Sequence, residues 1–184
     1  LARSVDDTLD LLRHRLRNVR VEKQIDPDLR LQGFPGQIDQ VFMNLISNAA
    51  QALGTRDSGG TIRIAARKQA EDVEITVADD GPGIPADVIP KIFDPFFTTK
   101  DVGEGSGLGL SIVHGIVERH GGRIMVESQV GSGTTFRIVL PAVLPQRFAR
   151  RPSPRPRSMG SLNGRRRAAR LSVRLISWYS CSVF

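Results

Sequence analysis

Residues 35–53, PGQIDQVFMNLISNAAQAL, place the tightest constraint on how the chain folds. Ile38, Val41, Phe42, Leu45, Ile46, Ala49 and Leu53 recur at intervals of three and four, which puts them on one broad face of a helix. A face that wide is stable only against another apolar surface. Short runs of period two on both sides can supply it as strands: Val19 to Ile25, Thr61 to Ala66, Val73 to Ala78, Arg123 to Glu127 and Thr134 to Leu140. A second amphipathic helix is expected from Gly107 to His120, with Leu108, Ile112, Val113, Ile116 and Val117 inward and Gly121 and Gly122 closing its C-terminus. Residues 1–18 read as the end of a further helix, with Val5, Leu9, Leu12 and Leu16 on one side. Strands and helices do not strictly alternate. An α/β, two-layer sandwich follows, with a mixed five-stranded sheet against about three helices.

Composition narrows the function classes. The 184 residues suffice for one domain with a sizeable core plus flanks. The net charge of +7 suggests nucleic acid, but its distribution argues otherwise. Residues 1–144 carry 16 basic and 19 acidic side chains, net −3, whereas the remainder holds ten arginines and no acid. The folded part is mildly acidic, so no specific nucleic-acid partner is expected of it. Residues 145–184, rich in Pro, Arg and Ser, read as a basic, disordered tail or a frame-altered end. The single cysteine, Cys181, excludes an internal disulfide. With no apolar run near the roughly 20 residues that cross a bilayer, a cytoplasmic location is expected, in a parent that is membrane-anchored or free.

The chemistry concentrates elsewhere. Beside the apolar face of the 35–53 helix run Gln37, Gln40, Asn44, Asn48 and Gln51. Two asparagines one turn apart inside a strong helix cost about 0.5 kcal/mol each relative to alanine. They read either as a solvated edge or as amide oxygens aimed at a hard cation. Asp79 follows a strand, with Gly81 and Gly83 behind it. A carboxylate there accepts from the exocyclic amine of adenine but faces the carbonyl of guanine. Gly103, Gly105, Gly107 and Gly109 then open the second helix. They lack the Lys-Ser/Thr of a P-loop and do not come straight off a strand as a dinucleotide fingerprint would. A flexible loop leading to a helix N-terminus, suited to phosphate oxygens, remains. A nucleotide site under a mobile cover is the reading.

In order, NLISNA at 44–49, DDGPGIP at 79–85, FDPFF at 93–97, GEGSGLGL at 103–110 and GSGTTF at 131–136 resemble the N, G1, F, G2 and G3 boxes of sensor histidine kinases. The resemblance covers about residues 19–141 of their ATP-binding catalytic domain. The TTK after the double phenylalanine is similar to the nitrogen-regulation branch. The wider superfamily, with DNA gyrase, Hsp90 and MutL, implies the Bergerat-type fold with a mobile ATP lid. The resemblance implies ATP and Mg²⁺ as cofactors, with Asn48 holding the metal and Asn44 one turn earlier as the second polar group. It implies Asp79 as adenine reader, helped by Thr134 through water. Gly81, Gly83, Gly105, Gly107 and Gly109 line pocket and lid, Leu108 and Leu110 stand among the cofactor-binding positions, and Lys100 is a lid cation near the terminal phosphates.

The resemblance also implies a domain organisation: 1–18 the end of a dimerisation helix, 19–144 the ATPase-like domain, 145–184 the tail. The implied activity is transfer of the γ-phosphoryl group to a histidine on a dimerisation domain, in a homodimeric parent that passes it to a response regulator receiver domain. Hydrolysing superfamily members carry a glutamate where this chain has Asn44, which cannot act as a base at neutral pH, so water attack should be slow. None of His14, His114 and His120 sits in the family's acceptor setting. A non-catalytic ATP-binding module and a weak ATPase remain the alternatives.

Overall fold

The computed structural model describes residues 1–34, 36–54, 59–99 and 105–143. Period-two patterning becomes five strands: β1 (Val19–Ile25), β2 (Gly60–Gln69), β3 (Asp72–Asp79), β4 (Arg123–Gln129) and β5 (Gly133–Pro141). They form one sheet in the order β1-β2-β3-β5-β4, with β1 parallel to β2 and the other neighbours antiparallel. Helices α1 (Ala2–Leu12), α2 (Gln37–Leu53) and α3 (Gly109–Arg119) accompany it, with a short 3-10 turn at Ile89–Lys91. The expected mixed α/β architecture is the observed one.

Register explains the core. Ile64, Val77, Phe136 and Val126 lie in one row across the sheet, and Ala66, Ile75, Ile138 and Ile124 in the next. Alternation brings both rows to one face, under the helices. There Phe42, Leu45, Ile46 and Leu53 of α2 are buried with Ile62, Ile64, Ile75 and Ile138. Emptying one such site, as in Phe42→Ala, removes about 3–5 kcal/mol. One row further along, the same face changes chemistry. Ile62 is followed across the strands by Asp79, Thr134 and Ser128, a polar end to an apolar surface.

Several elements differ in length from the expectation. The first helix stops at Leu12 rather than reaching residue 18, because the following RHRLRN has one apolar residue to bury and the chain must turn into β1. Strands β2 and β3 extend into the polar KQAED segment, leaving a tight turn in which Ala70 has φ 54°. α2 starts at Gln37, after Gly36 in the left-handed region, without a side-chain cap. α3 starts at Gly109, two residues later than expected, and ends in a Schellman motif. In that motif Gly121 donates to the Glu118 carbonyl (2.8 Å) and Gly122 to that of Val117 (3.0 Å).

Candidate nucleotide site

The site is built where the polar row of the sheet meets the amide edge of α2. The acidic pair at the end of β3 divides its labour. Asp80 turns back to β2, where its Oδ1 accepts from the Thr61 amide at 2.8 Å. Asp79 lies on the helix-bearing face, and its Oδ1 accepts from the Gly81 amide at 2.9 Å. Burial pushes the Asp79 carboxyl above its ordinary value of 3.8, the amides of Gly81 and Thr134 pull it down, and neighbouring Asp80 pushes it up. The net direction is upward, so Asp79 is a desolvated acceptor that its own backbone only partly satisfies.

The glycines follow from close approach. A side chain on Gly81 would touch Asp79 Oδ1 at 2.6 Å and Ala52 of α2 at 3.5 Å. Gly83, at φ +74°, leaves no room against the Gln129 carbonyl, and Gly133, at φ +101°, none against that of Asp79. Loop 81–85 is therefore pressed onto both the end of α2 and the β4–β5 turn. A further tie is Ser128, whose hydroxyl accepts from the Ile84 amide (2.8 Å), donates to the Gly133 carbonyl (2.9 Å) and meets Thr134 Oγ1 (3.0 Å).

Midway along α2, Asn44 faces the start of α3. A Cβ on Gly109 would sit 3.1 Å from Asn44 Oδ1, while Asn44 Nδ2 donates to the Gln40 carbonyl at 3.0 Å. Asn48 stands half-buried between these two regions. Eight residues of helix separate Asn44 from Ala52, about 12 Å at 1.5 Å per residue. That length suits a ligand laid along α2, with one end at Asp79 and the other at Gly109. Leu110 and Leu108 flank the first turn of α3, where Ser111 Oγ donates to the Leu108 carbonyl (2.9 Å) and backbone amides lack intrahelical acceptors.

Gly107 is held by the phenylalanine stretch. Its carbonyl accepts from the Phe96 amide at 3.0 Å, and at φ +66° it lies too close to Phe96 for any Cβ. Phe96 itself has φ 66° and is 73% exposed. Gly105 precedes this anchor. Lys100 and Gly103, expected in the cover, lie outside the described residues. Thus the structure brings Asp79, Gly81, Gly83 and Thr134 to the C-terminal end of α2 and sets Gly109, with Gly107, Leu108 and Leu110 beside it in the chain, against Asn44 at the middle of that helix.

Sequence reasoning missed Ser128, Ile84 and the separate duty of Asp80. Ser128 had a signal: Ile124, Val126 and Ser128 alternate on one face, so a polar side chain ends a buried row beside Thr134. The histidines are also placed. His120 is fully buried, donating from Nδ1 to the Ile116 carbonyl (2.8 Å) and accepting the Phe34 amide at Nε2 (3.2 Å). Both nitrogens are occupied, which removes it as a phosphoryl acceptor.

A five-stranded mixed sheet with a carboxylate at a strand end, an amide-edged helix and a glycine loop opening the next helix defines an ATP-binding domain of the Bergerat type. Residues 33–144 match the family described as histidine kinase-, DNA gyrase B- and HSP90-like ATPase, and the chain belongs to it. It is similar to the sensor histidine kinase ZraS of Escherichia coli strain K12, 49% identical over 111 residues, covering 60% of this chain and 23% of ZraS. With the sensory histidine kinase/phosphatase NtrB of Rhizobium leguminosarum bv. phaseoli it shares 43% over 140 residues, 68% of this chain and 36% of NtrB. The chain thus spans about a quarter to a third of these relatives. The catalytic domain of histidine kinase ThkA superposes with TM-score 0.68 at 36% identity, covering 77% of this chain and 92% of that one. ThkA is also known in complex with the response regulator protein TrrA.

Proposed function

We propose that this chain holds Mg²⁺-ATP so that its γ-phosphoryl group passes to a histidine on a separate dimerisation domain, not to water. Family membership supplies ATP binding. The choice of acceptor rests on Asn44. Its amide nitrogen is committed to the Gln40 carbonyl and its oxygen faces Gly109, so the helix that approaches the phosphates offers a neutral amide where a hydrolase needs a base.

The remaining steps are positioning. Asp79 accepts from the adenine amine, and the bared amides at 109–111 together with the dipole of α3 meet phosphate oxygens. Among the described residues no group of three or more His, Cys, Asp or Glu could hold a metal. A divalent ion at this site would therefore depend on the triphosphate for charge. The Asn48 amide oxygen, a hard and neutral donor, fits Mg²⁺ in that setting, where the ion neutralises charge that develops on the phosphates. Lys100 is the proposed lid cation. Phosphoryl transfer needs little else from the protein, and an acceptor histidine brought close in line completes it. The parent homodimer is proposed to supply that histidine, and a receiver domain to take the phosphoryl group onward, as the ThkA complex with TrrA suggests by analogy.

Mixing the chain with a dimerisation helix pair bearing the acceptor histidine and γ-labelled ATP tests this. The expected result is label on that histidine with slow release of phosphate when the helix pair is left out. ATP binding without label on the histidine would favour a regulatory module. Steady release of phosphate without acceptor would favour an ATPase and contradict the role given to Asn44.

A further inference from the structure

We propose that Ser128 sets the base preference of the nucleotide site by fixing the Thr134 hydroxyl as a hydrogen-bond acceptor. This rests on the ATP-site reading above and adds a specificity-determining residue to it. The proton count of the Ser128 hydroxyl fixes the direction of each of its bonds. A serine hydroxyl has one hydrogen and two lone pairs. The Ile84 amide can only donate, so its 2.8 Å bond takes one lone pair of Ser128 Oγ. The Gly133 carbonyl can only accept, so its 2.9 Å bond takes the single hydrogen. The third neighbour, Thr134 Oγ1 at 3.0 Å, must then donate into the second lone pair.

Thr134 is left with lone pairs and no free hydrogen. It is 6% exposed and lies directly across from Asp79 in the β3–β5 register. Its amide is already engaged with the Asp79 carboxylate. The end row of the sheet therefore presents two acceptors side by side, Asp79 and Thr134 Oγ1, with no hydroxyl donor between them. A 6-amino purine satisfies both. Its amine donates to Asp79, and a water that donates to Thr134 can donate its other hydrogen to the ring nitrogen N1. A 6-oxo purine turns an N1 hydrogen to that water, which can accept it, but brings its oxygen up to the carboxylate and to Thr134 Oγ1, two acceptors, and it gains a donor only if the Thr134 hydroxyl turns, which Ser128 prevents. With Ser128 gone, the Thr134 hydroxyl is free to rotate and donate to a carbonyl.

The test compares the whole chain and its Ser128→Ala variant in calorimetric titrations with ATP and with inosine triphosphate, which differs in carrying the 6-oxo group. The expected outcome is a ratio of ATP to inosine triphosphate affinity that shrinks by roughly three- to tenfold, the equivalent of one neutral hydrogen bond. Ser128→Thr, which keeps the hydroxyl, should retain the ratio. On a Thr134→Val background, Ser128→Ala should leave the ratio unchanged, because the hydroxyl it controls is absent. If Ser128 merely braces the Ile84 loop, both nucleotides weaken together and the ratio holds in every background, which overturns the inference. A wild-type chain that binds ATP without preferring it to inosine triphosphate overturns the inference and the role of Asp79 together.

Discussion

Asp79 is held in surroundings that oppose its charge. Burial raises its carboxyl above 3.8 despite the amides of Gly81 and Thr134, so folding favours the protonated form more than the unfolded chain does. By linkage, Asp79 contributes stability that is fully present below 3.8 and is lost as pH rises through the folded-state value. Ligand binding has the opposite sign, because only the ionised carboxylate accepts from an amine at both oxygens. ATP affinity measured by calorimetry should therefore fall as pH drops towards the raised value, over and above the pH dependence of the nucleotide itself. Asp79→Asn should bind ATP at least about tenfold more weakly, the loss of a hydrogen bond to a charged group. It should also lose the extra acid-side decline, while the free domain unfolds at no lower temperature than wild type. An undiminished acid-side decline in the variant would show that another group titrates. At this scale Asp79 was legible through its place among the five ordered boxes, since Asp-x-Gly-x-Gly alone suits an ordinary turn as well. The partner of Thr134 was not, since Ser128 comes near it only through the register of β4 on β5.

Among the elements, α2 connects the two ends of the site, and His120 helps to hold it in place. The ring stands at the C-terminal end of α3, packs edge-on against Phe34 with centroids 5.3 Å apart and accepts the Phe34 amide. The N-terminal turn of α2 begins immediately after that segment, where Gln37 donates to the Phe34 carbonyl at 3.1 Å. His120→Phe keeps a ring there and leaves the part-buried Phe34 amide without this acceptor. It should lower stability by about 1–3 kcal/mol, seen as a reduced urea midpoint at unchanged slope. No change in midpoint would mean that the amide finds another acceptor. Helical faces at intervals of three and four and strands of period two were legible throughout, and the strand order then brought the buried rows into line. The ends of the elements were less so. Leu16 continues the pattern of α1, but the charged residues around it have nothing to bury, and the helix stops a turn earlier. β2 and β3 run through the polar KQAED segment because the ladder of backbone bonds, not side-chain burial, carries them to the turn.

For the whole molecule, the chain is an ATPase-family domain, proposed above to hold the phosphoryl donor. Its sheet presents one face to the helices and ends that face in a polar row, so the nucleotide site grows from the edge of the core itself. On the opposite face Glu74 is clamped by Arg67 at 2.8 Å and approached by Arg137 at 3.5 Å, a charged surface of different character. Among the described residues no helix is long and apolar enough to cross a membrane. The resemblance of five ordered boxes made the fold and the class of ligand legible. The identity of the acceptor was not, because no histidine of the chain stands in an acceptor setting and His120 is committed to packing. In the proposed site Asp79 reads the base. Calorimetric titration of the chain with ATP and with GTP, in the presence of Mg²⁺ and alongside Asp79→Asn, tests it most directly. The account predicts tight ATP binding, GTP weaker by at least about tenfold from the unmatched carbonyl, and loss of that preference in the variant. Equal affinity for the two nucleotides, or an Asp79→Asn chain that binds ATP as wild type does, would contradict it.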